Sequence, residues 1–212
     1  MNVILMSVCL VIGIIGHAIN RWCDYVLSVY PNGKITIDTM KDVNDESKMA
    51  HLMEGTDPNT PLKSAMYGVF ALFMEYLGYS AIAAYIYQYH HVFGIILFIA
   101  SAFFAIIAAG HHIKYGLGVW MFVRSGCDKK SYQLFQELYN RFPVTKLCYV
   151  AYLLFLIILI ISIVTGITPL PLWMVIFTVL PIFIVMAPFR IIGTLHFSAM
   201  ITFAGWLVYI LC

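Results

Sequence analysis

Apolar residues in this chain occur in long runs rather than in the short stripes of a soluble domain. Crossing a bilayer core of about 30 Å takes about 20 mainly apolar residues, because an α-helix rises about 1.5 Å per residue. The runs predict an all-α fold, a polytopic transmembrane helical bundle forming one domain over residues 1–212. Six spans are predicted, at residues 3–29, 63–88, 92–118, 147–167, 171–189 and 194–211.

Two polar segments interrupt this pattern. The loop 31–62 carries most of the acidic residues, and in it Asn44-Asp45-Glu46, with Gly55 after the next apolar residues, predicts a short capped helix. Residues 128–142 have apolar side chains at helical spacing opposite polar ones, which predicts an interfacial amphipathic helix between spans three and four.

Three further features concern the shape of the spans. Gly116-Leu117-Gly118 predicts an oblique exit or a break near the end of span three, and Pro181 predicts a kink in span five. The fourth span is almost wholly Leu, Ile and Val, which favours a lipid-facing scaffold.

The positions of Lys and Arg predict the orientation. Apart from Arg21 and Lys114 inside the spans, they occur in the segments after spans one, three and five, and the other segments and both termini contain none. The positive-inside rule therefore predicts a multi-pass protein of the cell membrane with both termini outside and loops 31–62 and 125–146 in the cytoplasm.

Composition supports a membrane protein and excludes one class of partner. The chain is 62% hydrophobic and 10% charged, and its mean hydropathy is +0.91. A net charge of +2 without a dense basic block indicates no nucleic-acid partner. The five cysteines are widely spaced, without zinc-finger spacing, and are interpreted as free thiols or small buried hydrophobes.

Polar groups inside the spans are the candidate chemistry. His17, Asn20, Arg21 and Asp24 follow i, i+3, i+4, i+7 spacing, so they share one face of the first helix. Glu75 is the single charged residue near the middle of span two. An ionised side chain at this depth costs free energy, so such a residue indicates a functional site.

Span three contributes two adjacent histidines. His111 shares a face with Lys114 and Tyr115, whereas His112 lies about 100° round the helix, so only one histidine readily faces a given point. With His196 and Arg190 delivered by the last two spans, these faces predict a polar cavity open to the cytoplasm, roofed by Glu75.

Three kinds of chemistry fit such a cavity. The first is a small intramembrane enzyme doing acid/base chemistry on a lipid or other lipophilic substrate. Its predicted catalytic residues are Glu75, His111, His112 and Asp24. Its predicted substrate-binding residues are His17, Asn20, Arg21, Tyr76, Tyr79, Tyr115 and Arg190. As structural alternatives, the charged residues near the inner boundary pair with each other or extend to water.

The second chemistry is metal-assisted. His17, Asp24, His111 and His196 are the predicted ligands of a divalent metal ion, zinc or iron. The sequence has no His-x-x-x-His or His-Glu-x-x-His motif. The metal hypothesis therefore depends on these residues converging in three dimensions.

The third is transport of a proton, cation or small solute through the same groups. Carriers commonly show internal repeats, and the two halves of this chain show no such similarity, which favours an enzyme. A non-catalytic membrane subunit is a further alternative. The predicted partners are membrane lipids, a lipophilic small molecule and a second copy of the chain.

Three short motifs carry a resemblance. They are Cys23-Asp24-Tyr25-Val26-Leu27-Ser28-Val29-Tyr30-Pro31, Ala109-Gly110-His111-His112 and Phe189-Arg190-Ile191-Ile192-Gly193-Thr194. With these motifs the chain resembles an uncharacterised family of bacterial six-span membrane proteins. The resemblance implies a six-span bundle with polar groups near Asp24, His111 and Arg190, and it implies no activity.

Overall fold

The computed structural model describes residues 2–36 and 38–212, and these residues form eight α-helices and one two-stranded hairpin. The helices are α1 (Val3–Val26), α2 (Glu46–Met53), α3 (Asn59–Tyr89), α4 (His91–Arg124), α5 (Lys129–Arg141), α6 (Val144–Val164), α7 (Val179–Met186) and α8 (Thr194–Leu211). The antiparallel strands are β1 (Val29–Tyr30) and β2 (Gly33–Lys34), and short 3-10 helices cover Met40–Asn44, Leu172–Phe177 and Ala187–Phe189.

Large apolar side chains cover the outside of the bundle. Ile4, Phe70, Ile106 and Val150 are each more than 60% exposed, whereas soluble proteins rarely expose contiguous apolar surface on this scale. Five helical segments in the described part of the chain are long and apolar enough to cross a membrane; one of them, Lys129–Val164, combines α5 and α6. The chain is therefore a multi-pass helical membrane protein.

The region of the predicted fifth span, 171–189, is a broken segment rather than one helix. It consists of a 3-10 turn, the eight-residue α7 and a second 3-10 turn. Pro171, Pro181 and Pro188 lie within it, and proline removes a backbone donor and disfavours helix at the preceding residue. The count of six spans is thus not confirmed.

Helix α4 runs through Gly116 and Gly118 to Arg124, so the predicted break at these glycines is wrong. A Cβ at Gly116 would lie 2.5 Å from the Ala65 Cβ and 2.7 Å from the Pro61 carbonyl oxygen. A Cβ at Gly118 would lie 3.0 Å from the Phe135 ring. These glycines allow close packing of α3 and α5 against α4, so they do not end the helix.

The extension of α4 joins a second, smaller core. Met49 and Met53 of α2 pack there with Phe122 of α4 and Phe135 of α5. The predicted short helix is confirmed as α2, with Asp45 as its N-cap, and a helix is confirmed at α5. The Tyr132 hydroxyl donates to the Val43 carbonyl at 3.1 Å and ties α5 to the loop.

Helix α6 is not wholly a lipid-facing scaffold. Tyr152, Phe155 and Leu159 are buried against the main core, while Tyr149 and Val150 are exposed on the other side. One face of α6 therefore carries a polar group into the interior of the bundle.

Candidate functional site

Glu75 is the centre of a buried polar cluster. Glu75 is 0% exposed and lies near the middle of the 31-residue α3. Asn20 donates from Nδ2 to Glu75 Oε1 at 2.8 Å. His17 Nδ1 is 3.0 Å and His196 Nδ1 is 3.4 Å from the same oxygen. Three helices, α1, α3 and α8, thus meet at one carboxylate oxygen.

Gly16 allows α1 to come this close to α3. A Cβ at position 16 would lie 2.7 Å from the Ala71 carbonyl oxygen and 2.9 Å from the Glu75 amide nitrogen. Small residues at helix interfaces in membranes allow such close backbone approach. The next residue, His17, and then Asn20 are thereby brought against the Glu75 side chain.

A row of polar contacts extends from this centre towards α6. His17 Nε2 is 3.1 Å from the Tyr79 hydroxyl oxygen, which is 2.6 Å from the Tyr152 hydroxyl oxygen. On the other side, His17 Nδ1 is 3.0 Å from His196 Nδ1. Both ring nitrogens of His17 therefore have a polar neighbour.

His196 also contacts a second carboxylate. Its Nε2 is 3.4 Å from Asp24 Oδ2, and ligand-capable atoms of Asp24, His112 and His196 all lie within 4.8 Å of one another. The His112 ring packs against Gly68, where a Cβ would lie 2.7 Å from ring atoms Cγ and Nδ1. The absence of a side chain at position 68 thus makes room for the His112 ring between α3 and α4.

Several buried polar atoms of the cluster lack a hydrogen-bond partner within the described residues. They are Glu75 Oε2, Asn20 Oδ1 and His112 Nδ1. Leaving a buried polar atom unpaired costs about 1–3 kcal/mol, so three such atoms in one cluster call for an explanation. Two of them are oxygens that can only accept, and a cation would compensate them.

His111 lies outside this cluster, unlike His112. Its Nδ1 is 2.9 Å from the Thr145 hydroxyl oxygen, at the start of α6. Lys114 Nζ donates to the same hydroxyl and to the Phe142 carbonyl, both at 3.1 Å. The two histidines point about 100° apart on the helix, and His111 connects α4 to the α5–α6 junction. His112, and not His111, therefore lies with Asp24 and His196.

Three predicted substrate-binding residues also lie apart from the cluster. Tyr115 packs edge-on against Tyr139, at a ring-centre distance of 5.5 Å. Arg190 forms an exposed ion pair with Asp38. Tyr76 is half-buried and has no hydrogen bond to the cluster within the described part of the chain.

Arg21 borders a cavity that is lined mainly by other residues of α1. The cavity has a volume of about 210 Å³ and is lined by Ala18, Arg21, Trp22, Tyr25 and Ile192. The Arg21 guanidinium carbon lies 5.7 Å from the centre of the Phe197 ring. The cluster itself is closely packed, with His17 2% and His112 4% exposed. In place of the predicted open cavity, the structure therefore has an enclosed cluster.

Tyr152 is the main residue that the sequence did not indicate. It lies in the most apolar span, and the one available signal was a hydroxyl-bearing side chain within a Leu/Ile/Val run. Gly16 and Gly68 were likewise not predicted to position histidines, because their neighbours belong to other helices.

The cluster can hold a cation or pass a proton. Two groups of side chains, His17–Glu75–His196 and Asp24–His112–His196, have ligand atoms close enough for a metal ion. The row of two hydroxyls followed by two imidazoles has the composition of a proton relay. A buried Glu–His ion pair with a purely structural role is the third arrangement that these contacts allow.

Comparison with known proteins gives a family and no activity. No curated protein and no solved structure matches the chain significantly. The resemblance to an uncharacterised family is confirmed, while the bacterial origin and the six-span count that went with it are not. The chain belongs to DUF6796, a family of unknown function whose match covers residues 1–212.

Proposed function

We propose that the protein is a small intramembrane enzyme that uses a divalent metal ion, zinc or iron, held by His17, Glu75 and His196, to act on a lipid or other lipophilic substrate. One observation carries the proposal. His17 Nδ1, His196 Nδ1 and Glu75 Oε1 lie 3.0 to 3.4 Å from one another in the interior of the bundle.

These separations fit a metal site. Ligand atoms about 2.1 Å from a tetrahedral ion lie about 3.4 Å from each other, and two histidines with one glutamate are an established ligand set for catalytic zinc. The two imidazoles and the carboxylate would carry a net charge of −1 when the histidines are neutral. A divalent cation stabilises such a charge in a dry site.

The neighbouring contacts are those that a metal site requires. Metal-bound histidines usually hydrogen-bond through their other ring nitrogen, which fixes the ring orientation. The Tyr79 hydroxyl lies 3.1 Å from His17 Nε2 and Tyr152 supports it, while Asn20 donates to Glu75. The metal would supply a Lewis acid, and these residues would fix the orientation of its ligands.

The cavity at Arg21 supports a lipid-like substrate. Trp22 and Tyr25 line it and are exposed on the outside of α1, where aromatic residues at a membrane interface contact headgroups. Arg21 Nε is buried without a hydrogen-bond partner in the described structure. An anionic headgroup at Arg21 would bring the adjoining part of the lipid next to α1 and α8.

Metal analysis of the detergent-purified protein tests the proposal. We expect stoichiometric zinc or iron in the wild type and a loss of metal affinity of at least about tenfold in Glu75→Gln, because the carboxylate charge is gone. Glu137→Gln is the matched control, since Glu137 pairs with Arg141 on the surface.

Lipid profiles of cells expressing the two variants test the enzymatic part. The amount of a lipid species should change in cells that express the wild type or Glu137→Gln. It should not change in cells that express Glu75→Gln. A wild-type protein that stays metal-free after incubation with zinc and iron, and unfolds at a lower temperature after Glu75→Gln, would instead indicate a structural ion pair.

A proton relay is the second candidate, and it is favoured by the continuous row of polar groups. The row runs from Tyr152 through Tyr79, His17 and His196 to Asp24, with successive polar atoms 2.6 to 3.4 Å apart. Proteoliposomes with an enclosed pH dye test it. Proton flux that disappears in Tyr79→Phe would favour transport over the enzyme.

A further inference from the structure

We infer that the cluster holds two metal ions, and that His196 bridges them as an imidazolate. This inference rests on the proposed metal site and adds a second one, made by Asp24, His112 and His196. The two groups share no other residue, and each uses a different nitrogen of the His196 ring.

The contacts of His196 are divided between the two sites. Nδ1 faces the first site, at 3.0 Å from His17 Nδ1 and 3.4 Å from Glu75 Oε1. Nε2 faces the second, at 3.4 Å from Asp24 Oδ2. A histidine with potential metal ligands at both nitrogens can bind two ions once it loses its ring proton, which passes to solvent.

His112 supplies the independent observation for the second site. Its residue is 4% exposed, and its Nδ1 is buried with no hydrogen-bond partner among the described residues. Burying an imidazole without a partner for a polar nitrogen is unfavourable. The Nδ1 side of the ring lies against Gly68, and one ring nitrogen lies within 4.8 Å of ligand atoms of both Asp24 and His196. A metal ion bound there would offset part of the cost of burying the ring.

The charges nearly balance for two ions. Two divalent cations bring +4, and Glu75, Asp24 and the His196 imidazolate together bring −3. A remaining charge of +1 suits a water-derived hydroxide or an anionic substrate as a further ligand.

The two sites differ in access to solvent. The Glu75 side chain is 0% exposed, whereas that of Asp24 is 35% exposed. Catalytic metal sites keep one coordination position open. The Asp24 site is therefore the side from which substrate reaches the two ions.

Metal stoichiometry of the full-length protein in detergent, after loading with Zn²⁺ and removal of excess, is the first test. We expect two equivalents in the wild type and one equivalent in Asp24→Asn or His112→Gln. His111→Gln should keep two, because His111 contacts Thr145 and not the cluster.

The outcomes distinguish this inference from the proposed function. One equivalent in the wild type, lost in Glu75→Gln and unchanged in Asp24→Asn, would overturn the second site and leave the first. No metal in the wild type would overturn both.

Loading with Cu²⁺ gives a spectroscopic signal that can be measured even when a variant is partly destabilised. Two copper ions joined by an imidazolate are magnetically coupled, so the wild type should show a weakened or broadened electron paramagnetic resonance signal. His112→Gln should restore the signal of one isolated ion per folded chain. An isolated-ion signal from the fully loaded wild type would rule out the bridge.

Discussion

Gly68 decides where the His112 ring lies. The ring is closer to the position of a Cβ at Gly68 than any real Cβ would tolerate, at 2.7 Å. A single hydrogen atom in place of a side chain on α3 therefore orients a potential ligand on α4. The same logic holds at Gly16, which allows His17 and Asn20 to reach Glu75.

Gly68→Ala should displace His112 and lower stability. Overpacking of this kind typically costs about 1–3 kcal/mol, partly offset by the gain of about 1 kcal/mol in helix propensity from Gly to Ala. Gly110→Ala is the control, because it has the same gain in propensity and meets only Val144 Cγ2, at 3.2 Å. Thermal unfolding in detergent should give a lower midpoint for Gly68→Ala than for Gly110→Ala, together with loss of one zinc equivalent. Equal midpoints and equal metal content would contradict this role of Gly68.

For single residues, the sequence predicted which side chains share a helix face but not which residues of other helices they contact. The i, i+3, i+4, i+7 spacing put His17 and Asn20 on one face, and the cost of a charge in the membrane indicated Glu75. The choice between His111 and His112 depends on the glycine opposite, which is more than forty residues away in sequence. A helical pattern within one span contains no information about that neighbour.

Helix α2 is the element whose ends are best explained by its sequence. Asp45 accepts hydrogen bonds from the Ser47 hydroxyl at 2.8 Å and the Lys48 amide at 3.2 Å. These two bonds lower the pKa of Asp45 from its ordinary value. A cap of this kind satisfies a backbone donor that the first turn leaves free.

The stability of α2 should therefore fall in acid. A lowered pKa means that the contribution of Asp45 is fully present above its unfolded pKa of about 3.9 and is lost as pH falls through the folded value. Hydrogen exchange of α2 amides at pH 7 should be faster in Asp45→Ala than in wild type, and this difference should disappear below the folded pKa. Asp45→Asn keeps an uncharged cap and should retain its protection in acid. A difference between wild type and Asp45→Ala that is independent of pH would exclude this explanation.

The segment between α6 and α8 is the element that sequence predicted least well. Its apolar composition indicated a span, and Pro181 indicated only a kink. Three prolines and an extended Thr178 instead divide it into pieces too short to count as a transmembrane helix. Hydropathy averages over such a stretch and cannot show where hydrogen bonding is interrupted.

On the scale of the whole molecule, the two ends of this broken segment lie at opposite ends of the bundle. The Trp173 ring is 6.1 Å from that of Tyr209, at the end of α8. Arg190 pairs with Asp38, in the loop that follows α1. Since α8 begins near Asp24 and ends near Tyr85, the chain between α6 and α8 passes from one end of the bundle to the other.

This geometry predicts that Cys127 and Cys212 face opposite sides of the membrane. Three passages, α6, the broken segment and α8, separate them, and an odd number changes sides. The positive-inside rule assigns Cys127 to the cytoplasm. In intact cells, an impermeant maleimide should label a variant that keeps only Cys212 and not one that keeps only Cys127. Labelling of both from one side would mean that the broken segment does not cross, and labelling of Cys127 alone would reverse the orientation.

The position of His196 has a consequence for the assembly of the proposed metal site. Glu75 enters the membrane with α3 and finds Asn20 and His17 already present on α1, so the first hairpin can accommodate its carboxylate during synthesis. His196 arrives only with α8, after the other seven helices. The proposed metal site is therefore complete only once α8 has been inserted, and a chain that ends before α8 should bind no ion there.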